Sequence, residues 1–402
     1  MGIDYQTKLS GGQEVWDRLP EGWEKTTLGE ISQNVMYGLN ARATHYDGKH
    51  KYIRITDIDD KTNKFSPNPL TSPYGLIDPK YKLTKGDLLF ARTGASVGKS
   101  YLYDESDGEV YFAGFLIRFH IVNQNSGFIF YQFQSKSYWK WAKSVSMRSS
   151  QPGINAEEFK KVPILLPPLH EQTAIATILQ TWDTAIETTE ALIAAKEKQF
   201  VWMVKAMTTG PSHKLGLVEL KNIASIKKGQ QLNRTTLKEF EKYPVWNGGV
   251  TPSGYTDKYN TREKTITISE GGNSCGFVNY SNKKFWLGGH CYALVEIVST
   301  IYPEFLFFYL KSKEKSIKKL RVGSGLPNIQ KKSIETIEIA VPPLPKQQRI
   351  AHILNSAQHE IDLLKKLADR YRTQKRGLMQ KLLTGQWRVN KLERTHNARI
   401  SV

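Results

Sequence analysis

Cysteine is nearly absent from this sequence: Cys275 and Cys291 are the only two in 402 residues. Neither belongs to a Cys-x-x-Cys pair, which argues against a disulfide framework and gives no support to a structural zinc site. The nine histidines fall into no metal-binding spacing, so no metal is assigned. Long apolar runs are missing as well. The stretch Phe112–Val122 is too short to cross a membrane and carries Arg118, and Met1–Ser10 lacks the apolar centre of a signal peptide. These features make the cytoplasm the expected compartment, with no membrane partner. Acidic residues are scarce relative to basic ones, 38 against 57. The resulting formal charge of +19 favours a polyanionic partner.

Catalytic signatures are scarce too. No Gly-x-Gly-x-x-Gly cofactor loop occurs, and no Asn-Pro-Pro-aromatic tetrapeptide of amino-methyltransferases. Arg92-Thr93-Gly94-Ala95-Ser96-Val97-Gly98-Lys99-Ser100 approaches a phosphate-binding P-loop, but Thr93 stands where the first glycine is required. Tyr101-Leu102-Tyr103 then reads as strand where a helix should begin. Glu158-Phe159-Lys160 has the shape of a nuclease Glu-x-Lys without its Pro-Asp partner. The chain is therefore read as non-enzymatic by itself, with no catalytic residue and no cofactor of its own.

What the chain does contain is a repeat. Pro167-Pro168-Leu169-His170-Glu171-Gln172 opens a segment that closes at Thr209-Gly210. The same frame returns 175 positions later, ungapped, from Pro342-Pro343-Leu344-Pro345-Lys346-Gln347 to Thr384-Gly385. In the first copy Ile175, Leu179, Trp182, Ile186, Thr189, Ile193, Lys196, Phe200, Met203 and Met207 follow alternating steps of four and three. Ile350, Leu354, Ala357, Ile361, Leu364, Ala368, Tyr371, Lys375, Leu378 and Leu382 do so in the second. This heptad spacing predicts two long helices that pair along matching seams, centred on Ile175, Leu179, Trp182, Ile186, Ile350, Leu354, Ile361 and Leu364. Prolines before the start and Gly210 and Gly385 after the end suit the two termini.

The rest divides around these helices: a lead-in over 1–22, a domain over 23–165, the central helix over 166–210, a second domain over 211–340, the C-terminal helix over 341–386 and a polar tail over 387–402. Both domains show short apolar runs broken by Gly, Asn and Asp, the mark of strand-rich structure. Strands are expected at Tyr52–Ile55, Asp87–Arg92, Phe115–Phe119, Leu217–Leu220 and Lys264–Ile268, and helices over Gly127–Lys143 and Pro303–Leu320. At the same offset, Phe112-Ala113-Gly114 matches Leu287-Gly288-Gly289 and Gln151-Pro152-Gly153-Ile154 matches Leu326-Pro327-Asn328-Ile329. Between these anchors the residues differ, as if one scaffold carried two surfaces.

This order of domain, proline-led helix, domain, proline-led helix resembles the specificity subunit of type I restriction-modification enzymes over nearly the whole chain. Leu166-Pro167-Pro168-Leu169-His170-Glu171-Gln172 and Val341-Pro342-Pro343-Leu344-Pro345-Lys346-Gln347-Gln348-Arg349-Ile350 carry the likeness most specifically. Gly86–Gly94 and Tyr243-Pro244-Val245-Trp246-Asn247-Gly248-Gly249 add to it. The resemblance implies an α+β fold: two α/β target-recognition domains separated by two long antiparallel coiled-coil helices in a pseudo-two-fold internal repeat. It implies that each domain reads one half of an interrupted double-stranded DNA site, and that the helices set the spacing and dock two methyltransferase subunits. Two restriction subunits, acting as translocase and nuclease, would complete such a complex. S-adenosylmethionine, Mg and ATP would then belong to partner subunits. One departure stands out, Pro345-Lys346 in place of His170-Glu171, which removes an acidic residue from the first turn.

Candidate DNA contacts are polar or basic loop residues, since Arg suits guanine, and Asn or Gln suits adenine. In the first domain these are Arg42, Arg54, Arg92, Thr93, Ser96, Lys99, Arg148 and Gln151. In the second they are Gln230, Arg234, Asn247, Asn273, Lys283, Lys284, Arg321 and Ser324. Each has a solvated surface role as its competing assignment, and the Arg92–Ser100 turn equally suits a purely structural one. The lysines of Lys311–Arg321 read as a solvated helix face, and the aromatics Tyr138–Trp141 as core. Two other classes remain open at this point: a methyltransferase or nuclease acting alone, and a helical scaffold for proteins or an acidic surface.

Overall fold

The computed structural model describes residues 19–147, 152–208, 216–323 and 327–389. The two long helices are its longest elements, Leu169–Thr208 with 40 residues and Leu344–Leu382 with 39. At about 1.5 Å per residue each is about 60 Å long. Every one of the ten heptad positions in each helix is buried or half-buried, while most positions between them are exposed. The periodicity thus marks the packed face of each helix.

The chain forms two compact units, and neither follows the linear domain boundaries. One comprises residues 1–187 with 369–402, the other residues 188–368. Each unit therefore takes part of each long helix. In the first, Lys375 Nζ lies 2.5 Å from Asp183 Oδ1 and the Trp182 and Tyr371 rings meet edge to face at 5.6 Å. In the second, Lys196 pairs with Glu360 at 2.8 Å and Lys365 with Glu197 at 2.7 Å. Within each unit the helices run antiparallel. Ile186 and Ile361 are equivalent positions of the repeat, each packed in a different unit.

Both units are built on the same four-stranded antiparallel sheet. In the first the order is Ser32–Tyr37, Leu116–Ile121, Asp87–Ala91, Ser100–Leu102. In the second it is Ser225–Lys228, Cys291–Val295, Thr265–Ser269, Val278–Ser281. The central strands Asp87–Ala91 and Thr265–Ser269 are buried at every position; Leu88–Ala91 shows this as a continuous apolar run, whereas Thr265–Ser269 alternates threonine with isoleucine and is buried on both faces. A small antiparallel pair closes the base of each unit, Glu24–Thr27 with Pro163–Leu166 and Leu217–Glu219 with Glu338–Ala340.

The core of the first unit centres on Phe90, whose ring meets those of Phe133, Phe159 and Phe119 at 4.7, 4.9 and 5.6 Å. Removing such a buried phenylalanine costs about 3 to 5 kcal/mol. Leu382, Leu383 and Val389, from the far end of the second long helix and beyond, belong to the same core. In the second unit Phe305, Leu306, Phe308 and Leu310 pack with Ile350, Ala351, Leu354 and Val204.

Local chemistry divides the two helices expected between sheet and long helix. Gly127–Lys143 becomes Ser126–Gln132 and Lys136–Ser146, because the Ser135 hydroxyl accepts from Tyr138 N and caps a new start. Pro303–Leu320 becomes Pro303–Ser312 and Glu314–Lys319, divided at Lys313. The strand expected at Tyr52–Ile55 is Lys51–Ile53, and Arg54 begins a short 3-10 turn over Ile55–Asp57. Glu158 is no nuclease remnant. With Asn155 it forms a capping box, each side chain accepting the other's backbone N–H at 2.9 Å.

The helix starts share one device. Gln172 and Gln347 are buried at 1% and 0% exposure. Their amides donate back to Pro167 O at 2.9 Å and Pro342 O at 2.8 Å. Their carbonyls accept from Asn125 N at 3.0 Å and Tyr302 N at 2.8 Å. Each glutamine fastens a long helix to the loop that starts its own unit's first short helix.

Candidate nucleic-acid interface

One turn at the sheet edge is the same in both units. Arg92 N donates to Phe115 O, and Ile154 N donates to Arg92 O. Glu270 N donates to His290 O, and Ile329 N donates to Glu270 O. Arg92 therefore corresponds to Glu270 and Phe115 to His290. The strand alongside ends at Gly38 in one unit and Gly229 in the other. A Cβ on Gly38 would stand 2.2 Å from Ala113 O, and one on Gly229 would stand 2.2 Å from Gly288 O. Only glycine permits so close an approach of two backbones. Tyr37 and Lys228, which precede these glycines, complete the correspondence.

At this common position the side chains differ. The Arg92 guanidinium lies 5.0 Å from the Tyr37 ring centroid and 5.7 Å from that of Phe115, and its Nε donates to Gly114 O at 3.2 Å. Glu270 instead pairs with Lys228 at 2.6 Å and accepts from the Tyr292 hydroxyl at 2.8 Å. Burial, helped by that carboxylate, pushes the Tyr292 phenol well above its ordinary range.

The other candidates of the first unit separate into exposed and internal groups. Arg42 is exposed beside the small sheet that pairs Ala43–His45 with Thr71–Pro73, a lobe that also exposes Tyr74 and Leu76. Arg54 is engaged internally, its Nε and Nη2 each 2.8 Å from a carboxylate oxygen of the buried Asp57, which raises the guanidinium pKa. Thr93 and Ser96 lie half-buried in the turn. Lys99 is 8% exposed; its ammonium donates to Ile58 O at 2.8 Å and pairs with Asp60. It braces the turn from inside. Arg148 and Gln151 lie outside the described residues.

In the second unit Gln230 and Asn247 gather around the turn Gly288-Gly289-His290. Gln230 is exposed; its backbone N donates to Leu287 O and its carbonyl accepts from Trp286 Nε1, both at 2.9 Å. Asn247 Oδ1 accepts from His290 N at 3.1 Å. Lys284 lies over the Tyr259 ring at 4.8 Å, and Lys283 is exposed beside it. Arg234 is exposed on a short 3-10 turn capped by Asn233. Asn273 and Arg321 are exposed, while Ser324 lies outside the described residues. The structure brings the Arg92 turn together in one unit and the Gln230–Asn247 pair in the other, without gathering the remaining candidates.

Several contributors escaped the reading of the sequence. A polar groove of about 430 Å³ in the second unit is lined by Lys227, Lys228, Gln230, Arg262 and Lys264 among others. Tyr37, Phe115, Lys228 and His290 were also missed; the Tyr-Gly and Lys-Gly steps that end the two edge strands are the signal that marks them. Of the aromatics Tyr138–Trp141, Tyr138 is core as expected, its hydroxyl on Gly98 O at 2.6 Å, and half-buried Trp141 stacks on it, but Trp139 is exposed. Among the described residues no cluster of His, Cys, Asp or Glu could hold a metal ion, and no helix is long and apolar enough to cross a membrane.

The chain is thus a repeated α+β scaffold with divergent polar edges, twice joined to a proline-led long helix. The family model for the type I restriction modification DNA specificity domain matches residues 20–197 and 214–370. The chain belongs to that family, the specificity subunits of type I restriction-modification systems. It is 28% identical over 407 residues to the putative type I restriction enzyme MjaX specificity subunit of Methanocaldococcus jannaschii, covering 92% of this chain and 95% of that protein. It is 23% identical over 425 residues to the MjaVIII specificity subunit of the same organism, covering 93% and 95%. The fold is also that of the crystallised type I S subunit from M. genitalium, with a TM-score of 0.66 at 20% identity over 91% of this chain and 97% of that one.

Proposed function

We propose that each compact unit reads one half of a bipartite, asymmetric double-stranded DNA site. One observation carries this: the two units share a sheet order and a backbone hydrogen-bond pattern, yet present Arg92, Phe115 and Tyr37 in one and Glu270, His290 and Lys228 in the other. Duplicated scaffolds with different edge chemistry suit two different sequences. The excess of 19 positive charges supplies phosphate contacts, which give affinity and register without sequence information.

The paired helices set the spacing between half-sites and dock two methyltransferase subunits. A helix of about 60 Å exceeds one duplex turn of about 34 Å, which suits an interrupted site. The methyltransferase partners bind S-adenosylmethionine and flip out an adenine on each strand. Restriction subunits, where they join, supply ATP- and Mg-dependent translocation and cleavage. All of this takes place in the cytoplasm, where host DNA lies.

The test is co-expression with a type I methyltransferase subunit of the same host, followed by modified-base sequencing of host DNA. An interrupted asymmetric motif carrying methyladenine, lost without this chain, is the expected result. A stable complex that produces no motif overturns the reading in favour of a protein scaffold.

A further inference from the structure

The Arg92 side chain is held in a way that ordinary surface arginines are not. Its backbone is fixed on both sides, through Phe115 O and Ile154 N, at 3.1 and 2.9 Å. Its Nε is used by Gly114 O, and its guanidinium lies against two exposed rings, Tyr37 at 41% and Phe115 at 60% exposure. Tyr37 is fixed in turn, its hydroxyl accepting from Ala156 N at 3.2 Å. Among the described residues no carboxylate pairs with Arg92. An arginine serving only to brace the protein spends its terminal nitrogens on protein acceptors, as Arg54 does on Asp57. Arg92 is stacked and anchored through Nε, and its two terminal nitrogens remain as a planar fork.

We propose that Arg92 is a sequence-reading residue of the first recognition domain, donating from its terminal nitrogens to the O6 and N7 edge of one guanine. Exposed Phe115 lies beside it to pack against the neighbouring base. Two properties favour a base over a phosphate. A phosphate contact tolerates a flexible point charge, whereas a guanine edge demands an oriented planar donor pair. Stacking and the Nε bond remove the rotamer freedom that such orientation would otherwise cost on binding. The second unit adds an independent observation. The equivalent backbone position there holds Glu270, neutralised by Lys228, so no guanine-type donor stands at that point. A residue that differs in chemical sign between two otherwise matching turns behaves as a specificity position, and a conserved structural need would give it one sign.

This inference rests on the bipartite-reading proposal and is tested so that the two fail differently. Arg92→Lys and Arg92→Gln are co-expressed with the methyltransferase subunit, and host methylation is sequenced alongside the unaltered protein. The expected result is a motif in which one guanine of one half-site becomes degenerate, with discrimination at that position falling about ten- to hundredfold. The second half-site and the spacing stay unchanged, which also shows that the variant chains fold and assemble. A motif unaltered by both substitutions overturns the inference, and so does methylation that falls equally at all sites with every position still specified, the sign of a phosphate contact. An unaltered protein that yields no bipartite motif overturns the underlying reading instead.

Discussion

Arg388 donates to both carboxylate oxygens of Glu171, Nε to Oε1 at 2.7 Å and Nη2 to Oε2 at 2.8 Å, across 217 residues of sequence. Glu171 is fully buried and also accepts from Trp23 Nε1 at 3.3 Å, while Arg388 Nη1 reaches Glu21 O at 2.8 Å. One carboxylate thus ties together the entry of the first unit, the start of the first long helix and the segment after the second. The carboxylate also raises the Arg388 pKa. Lys346 occupies the matching place in the repeat and is exposed. The departure from the repeat is therefore a structural clasp peculiar to the first unit.

Breaking that clasp from one side leaves a buried charge without its partner. Arg388→Ala should destabilise the first unit by about 3 kcal/mol, read as a lower urea midpoint for near-ultraviolet signals of its aromatics. Glu171→Gln with Arg388→Met, which removes both charges, should lose less. Equal losses for the two variants would show that the charge pairing is unimportant.

Gln172 and Gln347 should behave as independent fasteners. Replacing either by Leu strands a backbone N–H, that of Asn125 or Tyr302, and two carbonyls, for a loss of about 1 to 3 kcal/mol. The residues share no partner, so the double substitution should be additive within about 0.5 kcal/mol. Chemical denaturation of the three variants measures this, and strong coupling would contradict it.

Ile186→Asp together with Ile361→Asp places a carboxylate in the helix seam of each unit. Neither helix end is altered, so the expected outcome is lost helix pairing: reduced cooperativity of thermal unfolding by circular dichroism and loss of the methyltransferase complex on gel filtration. A complex of undiminished yield would refute the seam's role in assembly.

Exchanging residues 23–163 for those of a related subunit should change one half-site of the methylated motif and leave the other. Deleting one heptad from both long helices should change the interval between half-sites while leaving their sequences. A change in both half-sites after the exchange, or an unchanged interval after the deletions, counts against separate readers on a helical ruler.

Both cysteines should resist alkylation in the folded protein. Burial raises each thiol, Cys291 to about 11 and Cys275 above its ordinary value. At pH 8 a thiol with that pKa is thiolate in on the order of one molecule in a thousand. Maleimide at pH 8 should label neither residue natively and both in denaturant; mass spectrometry counts the additions.

The helices were legible because a heptad pattern repeats along its own length and needs no distant partner to be recognised. The sheets were legible in part, since Leu88–Ala91 is a short apolar run and Thr265–Ser269 a short β-branched alternation. The site was much less so. Lys99 and Arg92 sit in the same turn with similar neighbours, yet one points inward to Ile58 O and the other lies against the Tyr37 and Phe115 rings. That distinction depends on Tyr37, 55 positions before Arg92 in the sequence, and on Phe115 beyond it. Glu171 and Arg388 are similarly unreadable as a pair, since nothing local joins them. Asn155-x-x-Glu158, by contrast, is a capping box that sequence alone can show.

The clasp between Glu171 and Arg388 also bears on the order in which a nascent chain can finish folding. The second unit is one uninterrupted stretch, residues 188–368, and has all its parts once that stretch has left the ribosome. The first unit begins earlier but needs Leu382, Leu383, Arg388 and Val389. Although it begins first, it must wait for residues that follow the whole of the second unit. A premature stop shortly after residue 368 would spare the later-made unit and unmake the earlier one.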